Sequence, residues 1–237
     1  IKVDSVKNYG GKVLLYGDTF DEAFDYAISL AKKDGFTFIH PYDDQDVIVG
    51  QGTVGKELFD EIGSSIDAVF VPVGGGGLLA GLGTYLKSVS PNTKIIGVEP
   101  EDAACLKLAL ENNKRLALKE VGLFADGVAV KQIGKKTFSL IKDWIDDVVT
   151  VSVDEMCASV QDTFQETRIM SEPAGALALA GLKKYVQSRG IKNKKLVAIN
   201  SGANLNFDRL GHIVERVQLG ESKEVLLSVK IPEEKGS

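Results

Sequence analysis

Four consecutive glycines close an apolar, β-branched run, Ala68-Val69-Phe70-Val71-Pro72-Val73-Gly74-Gly75-Gly76-Gly77, and lead directly into a helix-like stretch from Leu78 to Val89. A strand, a glycine turn and a helix start together aim several backbone N–H groups at one spot, and the helix dipole adds partial positive charge there. That arrangement suits capture of the phosphate of a small molecule. A merely flexible turn has little need of four glycines, because each loses more chain entropy on folding than any other residue. A second reading stays open on the same residues. Gly75, Gly77 and Ala80 satisfy the dinucleotide pattern G-x-G-x-x-G/A, and Glu99 closes the next apolar run, Lys94 to Glu99. It stands about 20 residues on, where a ribose-binding acid would be placed.

The other residue types that do chemistry are sparse. His40 and His212 are the only histidines, too few for a typical histidine metal cage and too isolated for a Ser-His-Asp triad. The two cysteines, Cys105 and Cys157, are far apart and have no C-x-x-C spacing, which argues against a zinc site and a disulfide framework; both read as buried packing residues.

The elements that must position the glycine turn alternate short β-branched runs with longer helical ones. This is the pattern of a largely parallel sheet covered by helices on both faces, a three-layer α/β/α class. Lys12 to Tyr16 and Phe36 to Ile39 read as strands, and 19 to 33 as an amphipathic helix capped by Asp18. His40-Pro41-Tyr42-Asp43-Asp44 breaks the pattern, and Val47 to Ile62 resumes it as a helix whose insert, Gly50-Gln51-Gly52-Thr53, suggests close helix packing. From Ala68 the units repeat: strand 68–73, helix 77–89, strand 94–99, helix 102–112. Helix 134–143, strand 147–152 and a helix 154–169 capped by Asp154 follow. Pro173 then opens another helix at its first turn, as such helices prefer. Strand 195–200 ends in Ser201-Gly202-Ala203-Asn204, and a last helix runs from 206 to 218. In open α/β sheets the ligand sits beyond the carboxyl ends of the strands. The loops at Gly74 to Gly77, at the Asp126-Gly127 turn and at Ser201 to Asn204 are therefore expected to converge on one cleft. Glu172, just before a helix, is expected to line it, although a carboxylate there is also an ordinary dipole partner.

With 237 residues, 44% apolar and 26% charged, the chain has ordinary globular composition. Its net charge of −5 is spread without a basic block, so a nucleic-acid or acidic-membrane partner has no electrostatic support. No stretch is long and apolar enough to span a bilayer and no signal-peptide layout opens the chain, so the expected location is the cytoplasm. The partition expected is a partial small lobe over 1–50, a larger lobe over 51–220 and a strand-bearing stub over 221–237.

Seven blocks in one order carry a likeness that runs essentially end to end: 38–44, 50–55, 71–78, 97–105, 122–130, 172–180 and 201–204. The chain resembles the biosynthetic threonine dehydratases. The resemblance implies the tryptophan-synthase-β-like fold (fold type II) for pyridoxal 5′-phosphate (PLP). In that fold Gly74, Gly75, Gly76, Gly77 and Leu78 hold the cofactor phosphate and Ser201 meets the pyridine nitrogen; Gly127, from its Asp-Gly turn, and Glu172, from its place before a helix, are the residues expected to line the active site. It implies loss of water from L-threonine to give 2-oxobutanoate and ammonia, with L-serine giving pyruvate by the same route. It also implies a homo-oligomer, a tetramer for the whole enzyme, with isoleucine as effector of a C-terminal domain. A hydroxyl at the pyridine does not enforce a protonated ring as an aspartate would, and the weaker electron sink suits β-elimination.

The chain departs from the family pattern in three places. No Ser-Phe-Lys-x-Arg-Gly segment is found, so no lysine here is assigned to the Schiff base and no catalytic residue is assigned. The chain is expected to be the cofactor-holding remainder of a catalytic domain, inactive alone. The run Val225 to Ile231 reads as the first strand of the isoleucine-sensing domain, which separates the biosynthetic enzymes from catabolic dehydratases and serine racemases. Finally, some relatives hold a divalent cation in a Glu-Pro-x-x-Ala-x-Asp segment. Glu99, Pro100 and Ala103 fit that segment but Cys105 replaces its last carboxylate, so no metal site is expected. A dinucleotide oxidoreductase and a non-catalytic binding or assembly module are the competing readings.

Overall fold

The computed structural model describes residues 2–17 and 20–220. Along the chain run helices α1 (Lys2–Asn8), α2 (Phe20–Asp34) and α3 (Gln45–Ile62), strand β1 (Ala68–Pro72), α4 (Gly77–Val89), β2 (Lys94–Pro100), α5 (Cys105–Glu111), α6 (Lys135–Ile141), β3 (Asp147–Val151), α7 (Val153–Thr167), α8 (Pro173–Arg189), β4 (Leu196–Ala198) and α9 (Leu210–Gly220). The four strands form one parallel sheet in the order β3-β2-β1-β4. Strand β1 lies inside it, pairing Ala68 with Lys94 on one side and with Leu196 on the other.

Because side chains alternate across a strand, β1 divides its residues between two cores. Val69 and Val71, with Val73 just beyond the strand, face a core shared with Ile48 of α3, Leu79, Leu82 and Leu86 of α4, and Leu106 of α5. Ala68 and Phe70 face the opposite core with Met156 of α7 and Leu177 of α8. The sheet is thus covered on both faces, the three-layer α/β/α arrangement expected from the alternating pattern.

Small residues set how closely the helices approach. A Cβ on Gly81 of α4 would overlap the Ile48 carbonyl oxygen of α3 and stand 2.7 Å from the Gly52 amide, so these two helices touch backbone to backbone. Of the two glycines in the insert, Gly52 provides the close packing expected and Gly50 does not, a Cβ there meeting nothing within 4 Å; Gly55, outside the insert, would meet the Leu82 carbonyl at 2.9 Å. Helix α8 does the same against the sheet, where a Cβ on Gly181 would meet the Val98 side chain at 2.5 Å.

Several boundaries differ from the sequence reading. Residues 12–16 and 36–39 are not strands: 11–17 and 36–40 have no regular structure, and Leu15 and Ile39 are 82% and 73% exposed. A β-branched run becomes a strand only where a neighbour takes its N–H and C=O groups, and no partner strand lies beside these among the described residues. The helix expected over 102–112 is a short turn, Glu101–Ala103, followed by α5. Helix α7 is capped by Ser152, not Asp154; the Ser152 side chain accepts from the Glu155 amide while Glu155 Oε2 accepts from the Ser152 amide at 2.7 Å. That reciprocal pair satisfies two amides, and Asp154 is left in the first turn, where it pairs with Arg216 at 2.7 Å. The Asp18 cap and the run Val225 to Ile231 lie outside the described residues.

Candidate functional site

Val73 continues the β1 ladder by donating to the Val98 carbonyl at 2.9 Å, and the chain then turns through the glycines into α4. Gly76 has φ +90°, a left-handed conformation that glycine adopts without strain, and it is the N-cap of α4. Gly77 and Leu78 form the first turn, whose amides have no acceptor within the helix.

The loop carbonyls are all tied into the protein. Gly74 O accepts from Cys105 Sγ at 3.4 Å, Gly75 O from the Gly134 amide at 3.2 Å and the Thr137 hydroxyl at 2.8 Å, and Gly76 O from the Ala80 amide at 2.8 Å. Among the described residues no acceptor meets the amides of Gly75, Gly76, Gly77 or Leu78. Acceptors turned inward and donors left free are the polarity that an anion seat requires.

The walls explain why the loop is glycine. A Cβ on Gly75 would run into the Tyr42 ring, one on Gly74 would lie 2.9 Å from Val128 Cα, and one on Gly76 would lie 2.7 Å from Ile133 Cδ1. The loop is therefore pinned between the segment around Tyr42, the Asp126–Val128 turn and the start of α6.

Of the other sequence-chosen residues, Gly127 adjoins the loop through Val128, whereas Glu172 and Ser201 are linked to Gly202 and Gly175 rather than to residues 74–78. Gly127 lies in the turn next to the seat, and a Cβ there would stand 3.0 Å from Ala174 Cβ and 3.6 Å from Glu172 Oε1. Glu172 is the N-cap residue of α8; its amide donates to the Gly202 carbonyl at 3.1 Å, and its carboxylate lies against Gly202. Ser201 is exposed in the loop after β4 and donates its amide to Gly175 O at 3.4 Å. A cleft of about 250 Å³ lined by Asp126, Glu172, Pro173, Asn204 and Arg209 opens at this end of the sheet. A larger concavity, about 970 Å³, lies elsewhere, between α3, α4 and α6.

Glu99 is fully buried, and its oxygens accept from the amides of Leu106 at 2.7 Å and Lys107 at 2.9 Å. A carboxylate spent on the start of α5 cannot reach a ribose, so the dinucleotide reading loses its acid. No group of three metal-ligating His, Cys, Asp or Glu residues occurs among the described residues.

Burial pushes the Glu99 carboxyl up to about 7, against the pull of the Leu106 and Lys107 amides. The folded chain then keeps a proton that the unfolded chain has released, so the sign is the reverse of an ordinary paired carboxylate. The Glu99 contribution to stability is complete below about pH 4.5 and declines as pH rises through about 7. Urea midpoints of the wild type and Glu99→Gln at pH 5 and 7.5 test this. The wild type is expected to lose stability relative to the variant on going to pH 7.5, and parallel profiles would refute it.

The thiols are inert: burial first, then nearby Glu99, raises Cys105 above its ordinary range, and burial with Asp154 pushes Cys157 up to about 12. His40 is structural. Its Nδ1 accepts from the amides of Tyr42 at 3.2 Å and Asp43 at 2.9 Å, and burial lowers its pKa, with Asp43 and Asp44 opposing. His212 is exposed, 4.0 Å from Glu215.

The sequence reading missed the segment it took for a break. Asp43 accepts from the amides of Lys135 at 2.9 Å, Lys136 at 2.7 Å and Thr137 at 3.1 Å, capping α6 from 92 residues away, while Asp44 caps α3. The available signal was two acids in a row directly before a helix; the partner at 135–137 had none.

A family model described as pyridoxal-phosphate dependent enzyme matches residues 1–202. The chain belongs to this family. Its relatives include the biosynthetic L-threonine dehydratase IlvA of Salmonella typhimurium strain LT2, 52% identical over all of this chain and 46% of the relative's length. The chloroplastic biosynthetic threonine dehydratase 1 of Solanum lycopersicum is also 52% identical, over all of this chain and 39% of its own length. Among solved structures, the processed form of threonine deaminase isoform 2 from Solanum lycopersicum matches with TM-score 0.89 at 47% identity, over 92% of this chain and 60% of that one. The fold is therefore the type II α/β architecture of the PLP enzymes, and the chain spans about half the length, or less, of the curated relatives it matches.

Proposed function

We propose that this chain is the phosphate-holding part of a PLP-dependent threonine dehydratase, which converts L-threonine to 2-oxobutanoate and ammonia and accepts L-serine as a secondary substrate. The carrying observation is the polarity of the 74–78 loop, whose carbonyls are all bonded inward while four amides at the start of α4 remain free. A phosphate dianion fits that set, and relatives about half identical to the chain are named for threonine dehydration.

In this reading the amides of Gly75 to Leu78 hold the phosphate, Gly74 spaces the turn from Val128, and Tyr42 shields the glycines from water. PLP, when bound, supplies an electron sink that acidifies the substrate Cα–H. Ser201 offers the ring nitrogen a hydroxyl, which can donate or accept without imposing a charge. Gly127 and Glu172 line the amino-acid side of the cleft, where a side chain on Gly127 would close the gap to Ala174.

The finer assignments belong to the same proposal. The parts are a partial small lobe (1–50), the PLP lobe (51–220) and the start of a regulatory domain (221–237), with isoleucine as effector, a homotetramer as assembly and isoleucine biosynthesis as the pathway. No helix of the described residues is long and apolar enough to cross a membrane. The two free, buried cysteines accord with a reducing compartment such as the cytoplasm.

Reconstitution tests the reading. The chain joined to an upstream segment carrying the Ser-Phe-Lys-x-Arg-Gly motif, loaded with PLP, is expected to form 2-oxobutanoate from L-threonine, and the 237 residues alone to form none above the rate of free PLP. No turnover by the joined chain would favour a non-catalytic module, and turnover by the 237 residues alone would mean that a lysine within them serves the Schiff base.

A further inference from the structure

The Gly75–Gly76 peptide is held from behind. Its carbonyl receives two donors from the start of α6, the Thr137 hydroxyl at 2.8 Å and the Gly134 amide at 3.2 Å. In a trans peptide the C=O and the following N–H point in opposite directions. Fastening the Gly75 carbonyl toward α6 therefore turns the Gly76 N–H away from it, to the side where the other loop amides are free. Thr137 is fully buried, and its own amide donates to Asp43 Oδ1 at 3.1 Å, so the hydroxyl is held at both ends of its residue. Asp43 follows Tyr42, whose ring abuts Gly75 where a side chain would stand.

We propose that Thr137 is a positioning residue of the phosphate seat, which, through the Gly75 carbonyl, locks the Gly76 amide in the donating orientation, with Asp43 fixing Thr137 in turn. The inference rests on the phosphate reading of the loop. Without the hydroxyl, only the longer Gly134 contact restrains that peptide, and the plane can rotate at two glycines that resist rotation least. The consequence is specific to the phosphate: contacts to a pyridine ring do not depend on the Gly76 amide.

The test compares binding of pyridoxine 5′-phosphate and pyridoxine, alcohols that cannot form Schiff bases with surface lysines, to the 237-residue chain by calorimetry. The wild type is expected to bind the phosphate ester more tightly than pyridoxine. Thr137→Val, which keeps the shape and removes the hydroxyl, is expected to weaken the ester by about tenfold, the scale of one net hydrogen bond, and to leave pyridoxine unchanged. Thr137→Ser is expected to restore the preference, and Thr137→Ala provides a smaller replacement should valine disturb α6. Equal weakening of both ligands would show a merely structural role and overturn the proposal, as would an unchanged ester affinity. A wild type with no preference for the ester would instead refute the phosphate reading itself.

Discussion

Replacing Gly75 with valine is expected to abolish PLP retention by the reconstituted protein. A Cβ at this position already runs into the Tyr42 ring, and Tyr42 cannot retreat freely because its amide and the next one are held by His40 Nδ1. The loop must move instead, and with it the carbonyl held by Thr137 and the amide of Gly76. Overpacking of this kind costs about 1–3 kcal/mol, and each misdirected bond to a charged phosphate loses about 1.5–3 kcal/mol. Two such bonds lose about 3 kcal/mol or more between them, which corresponds to more than about 100-fold in affinity, while the overpacking cost falls on the fold. PLP absorbance after gel filtration reads the result, with the far-ultraviolet circular dichroism spectrum as a check on folding. A folded Gly75→Val protein with full occupancy would remove the loop from the cofactor site.

Gly81→Val is expected to give the largest loss of stability. Gly81 lies where α4 crosses α3, and its missing side chain is replaced by the Ile48 carbonyl and the Gly52 amide at 2.7 Å, both backbone atoms. A backbone neighbour cannot rotate aside as a side chain can, so the helices must separate and open the core around Ile48, Leu79 and Leu82. The expected cost is about 3 kcal/mol or more, a fall in melting temperature of about 6–12 °C for a chain of this size. Gly52→Ala is the matched control: a Cβ there meets Gly81 O at 3.4 Å, close to ordinary contact, and a fall of no more than a third as much is expected. Equal melting temperatures for Gly81→Val and the wild type would contradict the backbone contact. Because α4 also carries the seat at its first turn, the same variant is expected to weaken PLP binding.

The features legible in the sequence are those whose causes lie within a few residues. The strand, glycine turn and helix at 68–89 are contiguous, so a glycine turn and a helix start could be read directly, as could Pro173 at the first turn of α8 and the alternation that builds a parallel sheet. Where the cause was remote, the same reading failed or was silent. Lys12 to Tyr16 and Phe36 to Ile39 have strand composition without strand structure, because pairing is a property of two segments and composition describes one. Asp154 lost the cap of α7 to Ser152, since only the serine forms the reciprocal pair with Glu155. Glu99 has the spacing of a ribose ligand, yet burial at the end of β2 commits both its oxygens to α5. The sequence alone determined that this chain presents a row of glycine amides at a helix start. Only the tertiary structure decided which way those amides point, because the groups that fasten the Gly75 carbonyl stand at Gly134 and Thr137 and are themselves placed by Asp43. A peptide plane at glycine has no side chain to orient it, so its direction is set by whatever the fold brings to its carbonyl.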